Sequence, residues 1–147
     1  MSIWWSLRLR REAASVPLAR RLLLGAMETA GVDPDISYDL SVALSEACAN
    51  AVEHGGASET GDTSGAYEVT AYLEGERCRI EVADSGPGFP AVRGRAPSTH
   101  AENGRGLCLI EELADHVDFV NRPGHGGAVV SFDKILKWKK DAPLVAV

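Results

Sequence analysis

The sequence contains little cysteine and no long apolar run, and each shortage excludes a class of protein. It has three cysteines, an odd number, at Cys48, Cys78 and Cys108. All three stand in apolar surroundings, which is typical of reduced, buried thiols in a cytoplasmic protein rather than of a disulfide framework. No apolar run approaches the roughly 18–20 residues of a membrane span, and the arginine-rich start predicts no signal peptide.

Two kinds of site are also missing from the sequence. None of the four histidines stands at metal-ligand spacing from a cysteine or another histidine, which excludes a zinc site of that kind. No GxxxxGK[ST] motif occurs, so there is no Walker A phosphate loop. The formal net charge of −6 argues against a general nucleic-acid binder, which carries a basic surface excess.

Basic residues cluster near both ends of the chain. The clusters predict solvated faces, with a docking patch as the alternative. Their members are Arg8, Arg10, Arg11, Arg20, Arg21, Lys134, Lys137, Lys139 and Lys140.

The length of 147 residues predicts one domain, 1–147, large enough to bury a core. Ser15 is expected to cap the first helix, Gly31 to end it, and Asp33 to cap the second. The order of elements predicts an α+β fold, a two-layer α/β sandwich with a mixed, mostly antiparallel sheet and helices on one face. Residues 135–147 are hard to assign. The predicted strands are 6–10, 66–73, 77–83, 116–121 and 128–134, and the predicted helices are 16–30, 34–54 and 106–114.

The most informative stretch is EACANAVEH, Glu46–His54. It places a carboxylate, Glu46, and a carboxamide, Asn50, four residues apart and therefore on one face of the second helix. That face borders the helix's apolar stripe, where a side chain can line a pocket. A carboxamide oxygen suits Mg²⁺, and a glutamate one turn away can take a proton from a hydroxyl. Taken alone, both residues also fit an ordinary surface, and Glu53 and His54 are weaker candidates. The stripe consists of Ile36, Leu40, Leu44, Ala47 and Ala51.

The second informative stretch is DSGPGFP, residues 84–90, at the end of a predicted strand. Strand parity directs the Asp84 carboxylate toward the covered side of the sheet, where it can accept a hydrogen bond from an amino group such as adenine N6. Gly86 and Gly88 let the backbone approach a flat ring. The alternative is an ordinary turn, which the same residue types favour.

The third stretch is GRGL, Gly104–Leu107, where a long connection becomes a helix. Backbone N–H groups at a helix N-terminus carry partial positive charge and suit phosphate oxygens. Arg105 adds a charge-assisted contact to phosphate or is merely solvated. The connection itself, 87–103, is rich in Gly, Pro, Arg and Ser, and its length is typical of a lid or a disordered segment.

Together the three stretches resemble the N, G1 and G2 boxes of the GHKL ATPase superfamily, which includes gyrase, histidine kinases and MutL. The short chain and the EAxxNAxxH form are most similar to bacterial anti-sigma-factor serine kinases. The resemblance implies a sandwich fold with ATP between lid and sheet, and Mg²⁺ as cofactor. It also implies phosphorylation of a serine or threonine of a small antagonist protein, binding of a sigma factor in the other state, and a homodimer.

The resemblance also assigns roles to residues. Asn50 would help to hold Mg²⁺, Glu46 would be the general base, and Asp84 would bind the adenine amino group directly and through water. Gly88, with Gly86 beside it, would shape the adenine end of the site.

At the phosphate end, residues 90–103 would form the lid, and Gly104 and Gly106, with Arg105 and Leu107, would meet the phosphates. One departure concerns the last hairpin, where family members often carry a threonine near the adenine. Here GGAVVSF offers only Ser131 as a hydroxyl.

Three other functions compete with a serine kinase. A non-catalytic module would use ATP only to order a partner surface, and Glu46 argues against it because a pure binder needs no base. A detached catalytic domain acting on histidine would follow a histidine-bearing dimerisation helix, which does not precede this domain. A purely structural protein leaves Asp84, Asn50 and both glycine clusters unexplained. The edge strand near the start and the pair Trp4–Trp5 are candidates for pairing two chains.

Overall fold

A computed structural model of the chain describes residues 2–54, 65–84, 104–121 and 127–139. The predicted order of elements is confirmed. The elements are β1 (Ser2–Arg10), α1 (Ser15–Ala30), α2 (Pro34–His54), β2 (Ala66–Glu74), β3 (Arg77–Ala83), α3 (Gly104–Leu113), β4 (His116–Asn121) and β5 (Ala128–Ile135).

The strands form one five-stranded sheet in the order β1-β2-β3-β5-β4. Every pairing among these strands is antiparallel. β1 is an edge strand, as predicted, but it begins at Ser2 because it pairs with β2 along nine residues, from Ser2 opposite Glu74 to Arg10 opposite Ala66. β5 lies between β3 and β4, so the last hairpin closes the sheet on the far side from β1.

The helices cover one face of this sheet, which confirms the two-layer α+β sandwich. The inward residues of β3, Cys78, Ile80 and Val82, are buried as strand parity predicts. They join a single cluster with the predicted apolar stripe of α2, all of whose members are buried. Fully burying one such aliphatic side chain contributes about 1.5–3 kcal/mol, so this interlayer cluster is the main source of stability.

Local signals set the helix ends with one exception. Gly31 ends α1 in the left-handed region at φ 82°, as predicted. The Asp33 carboxylate accepts a hydrogen bond from the Asp35 N–H at 2.8 Å, as a cap at the start of α2 should. The exception is Ser15, which lies inside α1, because the backbone at Ala14 is already helical and carries no side-chain cap.

The residues after β5 extend the fold beyond what the sequence predicts. Val32, between α1 and α2, forms an antiparallel bridge with Trp138. The N–H of Asp33 donates to the carbonyl of Lys137 at 2.7 Å, and the N–H of Lys139 donates to Gly31 at 2.9 Å. The connection between the two long helices is therefore tied to the chain that leaves the sheet. None of the described helices is long and apolar enough to cross a membrane.

Candidate functional site

Glu46 and Asn50 lie on the second half of α2, and both are half-buried. The alanines between and beside them, Ala43, Ala47 and Ala51, are buried, so the helix approaches its neighbours closely along that side. α2 packs against α1, α3 and β3. The two polar side chains therefore stand at the border of the core, on one face of the helix that runs through the middle of the helical layer.

Asp84 follows the last residue of β3 and is buried, with 7% of its surface exposed. Its N–H donates to the carbonyl of Ala128 at 2.9 Å, and its Oδ1 accepts from the N–H of Ala128 at 3.2 Å. The first residue of β5 thus fixes the aspartate by both its backbone and its carboxylate. Its burial agrees with the strand parity that directs it to the helix-covered side.

Three strands end or begin together at this edge of the sheet. β3 ends where β5 begins, because Ala83 lies opposite Val129. β2 begins beside them, because Glu68 lies opposite Ala83. We call this edge, with the helix ends above it, the site end of the molecule.

Arg11 joins the site end to α2. It follows β1, and its N–H donates to the carbonyl of Gly65 at 2.7 Å, directly before β2. Its guanidinium donates to the carbonyl of Val52 from Nε at 3.2 Å and from Nη2 at 2.9 Å. A cation bonded to the last turn of a helix is stabilising, since the carbonyls there carry partial negative charge. The last turn of α2, just beyond Asn50, therefore lies at the same end as Asp84.

The position of α3 is fixed by hydrogen bonds at its C-terminal end. The residues that follow α3 are hydrogen-bonded to the C-terminal end of β5. The N–H of Asp115 donates to the carbonyl of Asp133 at 2.8 Å, and the Asp115 carboxylate accepts from the N–H of Ile135 at 2.6 Å. A helix of ten residues is about 15 Å long. Its first turn therefore lies about 15 Å from these hydrogen bonds.

The predicted GRGL stretch forms that first turn of α3. Gly104, Arg105 and Gly106 are helical in backbone, so the helix begins two residues earlier than predicted. Leu107 is buried in the core cluster, and its side chain packs there. The predicted residues Gly86 and Gly88, and the predicted lid at 90–103, lie outside the described residues.

The structure also shows a buried hydroxyl pair that sequence reasoning missed. The Ser15 hydroxyl donates to the carbonyl of Glu12 at 2.7 Å, so it accepts from the Tyr67 hydroxyl at 2.6 Å. Tyr67 in turn contacts Cys48, the residue between Glu46 and Asn50. Tyr67, on β2, therefore contacts both α1 and α2. The one signal in the sequence that could have indicated its buried position is the alternating pattern of β2.

Burial controls the chemistry of two thiols. It raises the pKa of Cys48 to about 12, an effect that the Tyr67 hydrogen bond partly offsets. It also raises the pKa of Cys78 to about 12, and the charge of Asp133 adds to that rise. Burial raises the pKa of Tyr67 as well. The thiolate is the reactive form, so both cysteines are chemically inert in the folded chain.

We therefore expect a thiol reagent at pH 8 to modify half-buried Cys108 first, and Cys48 and Cys78 only as fast as the chain unfolds. Burial raises the pKa of both thiols above the ordinary cysteine value of 9.0. Their contribution to stability is therefore complete below about pH 9 and falls as the pH rises toward 12. Mass spectrometry of the labelled peptides measures the order, with Cys108→Ser as control. Equal rates at all three thiols would contradict the burial argument.

Ser131 does not stand where a contact to adenine requires it. It lies on the sheet face opposite the helices, because its neighbours Val130 and Phe132 point into the core. Its hydroxyl accepts a hydrogen bond from Arg79 Nε at 3.0 Å. On the helix side, the start of β5 offers Ala128 and Val130, which carry no hydroxyl. The hydroxyl that the sequence offered for this contact is therefore turned away from Asp84.

The described residues contain no group of three or more histidine, cysteine, aspartate or glutamate side chains that could hold a metal. Mg²⁺ does not need such a group, since it keeps several waters and takes one or two protein oxygens beside substrate phosphates. The Asn50 carboxamide, half-exposed beside the Glu46 carboxylate, fits that requirement. These two side chains are therefore compatible with Mg²⁺ that is bound together with a polyphosphate.

Comparisons with known proteins place these features in context. The family model of the histidine kinase-like ATPase domain matches residues 9–134. The serine-protein kinase RsbW of Bacillus subtilis is 30% identical in an alignment of length 135 that covers 85% of this chain and 81% of the relative. The enzyme of the same name from Staphylococcus aureus is 29% identical in an alignment of length 141 that covers 89% of this chain and 86% of the relative.

Solved structures agree in fold. The RsbU and RsbW domains of Rv1364c from Mycobacterium tuberculosis match 91% of this chain with a TM-score of 0.68 and 24% identity. This chain spans 32% of that larger protein. The histidine kinase domain of the blue-light-activated EL346 protein from Erythrobacter litoralis matches 87% of this chain and 62% of its own, with a TM-score of 0.50 and 16% identity.

Proposed function

The chain belongs to the family of histidine kinase-like ATPase domains, which confirms the resemblance to GHKL ATPases, and on this premise we propose that it is a cytoplasmic, ATP-dependent serine/threonine-protein kinase. Its substrate would be a small anti-sigma-factor antagonist, and in its other state it would hold a sigma factor. What supports this proposal is that Asp84 and the last turn of α2, just beyond Asn50, lie at the same end of the molecule, and that α3 begins with the two glycines expected at the phosphates.

Each of these features has a role in binding ATP. Asp84, held by Ala128, accepts a hydrogen bond from the adenine N6 amino group. Gly104 and Gly106 carry no side chain, so their N–H groups at the start of α3 can approach phosphate oxygens, and Arg105 adds charge there. The nucleotide then extends from the end of β3 toward α3, along the exposed side of α2.

Glu46 and Asn50 serve the transfer step. Asn50 would hold Mg²⁺ through its carboxamide oxygen, and the ion would supply positive charge that stabilises the transferring phosphoryl group. Glu46 accepts the proton of the incoming serine hydroxyl while the serine oxygen bonds to the γ-phosphorus. The bond between the γ-phosphorus and the oxygen that bridges it to the β-phosphorus breaks, and ADP is released. Positioning and charge stabilisation dominate such reactions, so this small set of residues suffices.

A non-catalytic, ATP-gated binding module is the second candidate. The same pocket would bind ATP, and the nucleotide would order a partner surface without turnover. The half-buried carboxylate of Glu46, one helical turn from Asn50, favours the kinase because a binding module needs no base there.

One experiment distinguishes the kinase from the non-catalytic binding module. The chain is incubated with γ-labelled ATP, Mg²⁺ and candidate antagonist proteins from the same genome, and label is followed on the antagonist. A kinase transfers label to a serine or threonine, and the transfer stops when Mg²⁺ is chelated. Saturable ATP binding without transfer to any antagonist, while partner binding still depends on ATP, would establish the module instead.

A further inference from the structure

A cavity opens between the helical and sheet layers at the end of the molecule away from Asp84. Its volume is about 690 Å³, within the range of about 300–1,000 Å³ that is typical of small-molecule sites. It lies between the second half of α1 and the strands β1, β2 and β3, and Trp138 lines one side. We call it the interlayer cleft.

The cleft reaches into the core. Its floor includes Met27 and Cys78, which are buried, and its walls include Trp5, Leu73 and Trp138. Protein interiors are normally close-packed, and apolar walls that face empty space lose their dispersion contacts. The lining is thus suited to an apolar body that enters between the layers.

Gly25, at the mouth of the cleft, is the most informative part of the lining. It lies in the middle of α1, where glycine lowers the folding equilibrium constant about fivefold relative to alanine. Its backbone is not among the positive-φ glycines, and a Cβ built on it meets nothing within 4 Å. The packing of the described residues does not require glycine at this position, and the missing side chain leaves the mouth of the cleft open.

The polar end of the cleft carries a charged side chain, that of Arg21. Arg21 is the sole charged side chain among the described lining residues, and it makes no hydrogen bond or ion pair with any described residue. Thr29, one turn beyond Gly25, adds a hydroxyl. An exposed guanidinium beside an apolar cavity is complementary to a carboxylate that carries an apolar tail.

We propose that the interlayer cleft binds a free medium-chain carboxylate, with the unbranched tail between α1 and the sheet and the carboxylate at Arg21.

Titration with decanoate below its micelle concentration tests the proposal. Trp5 and Trp138 line the cleft, so their emission changes on binding, while exposed Trp4 supplies a constant background. We expect saturable one-to-one binding that tightens about two- to fourfold for each added CH₂. Arg21→Gln should weaken decanoate at least about fivefold and leave decanol within about twofold. Decyltrimethylammonium should bind more weakly than either.

Gly25 supplies the matched pair of variants. Gly25→Phe fills the mouth and should weaken decanoate at least about tenfold, and Gly25→Ala should leave binding intact and raise the melting temperature. Circular dichroism checks that each variant folds, and Thr29→Leu narrows the same cleft if Gly25→Phe does not fold. Absence of saturable binding, or equal affinity in wild type and Gly25→Phe, would overturn the proposal.

Other occupants give distinct results that also overturn it. A second copy would appear in light scattering as a wild-type dimer that Gly25→Phe converts to a monomer. A membrane surface would appear as sedimentation with phosphatidylglycerol vesicles that Gly25→Phe abolishes. An acidic helical peptide that displaces decanoate and binds more tightly would identify a partner protein.

Discussion

Replacing Glu46 by glutamine should reduce phosphoryl transfer by about 10²–10⁴-fold, the usual contribution of a general base, while ATP affinity changes by less than about threefold. The amide keeps the size and hydrogen-bonding capacity of the side chain at this half-buried position of α2, but it cannot take a proton from the serine hydroxyl. Transfer rates are measured with γ-labelled ATP and a phosphorylatable antagonist, and affinity by calorimetry.

Glu53→Gln is the matched control. It lies seven residues further along the same helix, is exposed, and stands beside His54 at 3.3 Å. Transfer should persist in this variant. If Glu46→Gln keeps the wild-type rate, Glu46 is not the base, and a loss confined to Glu53→Gln would move the role to that residue.

The second large effect concerns adenine. Asp84→Asn should weaken ATP and ADP binding at least tenfold, or about 1.4 kcal/mol. Asparagine retains an oxygen that can accept from the Ala128 N–H, the contact that Asp84 makes at 3.2 Å, so the end of β3 should keep its structure. It replaces the other oxygen with an NH₂ group, which cannot accept from the adenine amino group.

Asp118→Asn makes the same chemical change on the exposed edge strand β4 and should leave nucleotide binding unchanged. Titrations with ATP and with ADP, each with and without Mg²⁺, separate the adenine contact from the phosphate contacts, because the loss in Asp84→Asn should be equal for both nucleotides. An unchanged titration would remove Asp84 from the adenine site.

The fold could be predicted because its signals are local. Gly31 stops α1, Asp33 caps α2, and alternating burial along β3 follows from strand parity. These signals involve residues close in sequence, where spacing alone decides the outcome. Ser15 shows where local signals fail to predict a contact. Its hydroxyl was expected to cap α1, but it is hydrogen-bonded to the hydroxyl of Tyr67, 52 positions away.

The sequence suggests which residues form the candidate site, and that suggestion stays a prediction; it does not indicate the contacts that hold those residues in place. Local spacing puts Glu46 and Asn50 on one face, but the strand order that brings Asp84 to the same end depends on long-range pairing. Arg11 belonged to a cluster expected to be solvated, and it instead holds the last turn of α2. Such contacts join segments about 40 residues apart, so no periodicity in the sequence indicates them.

The ties at the two ends of α2 have a mechanical consequence. One terminus is bound through its preceding loop to the strand that leaves the sheet, and the other is clamped by a guanidinium. A helix pinned in this way cannot slide or rotate over the sheet without breaking hydrogen bonds at both terminal turns. The proposed catalytic pair, Glu46 and Asn50, is therefore held in place by the fold itself, before any nucleotide binds.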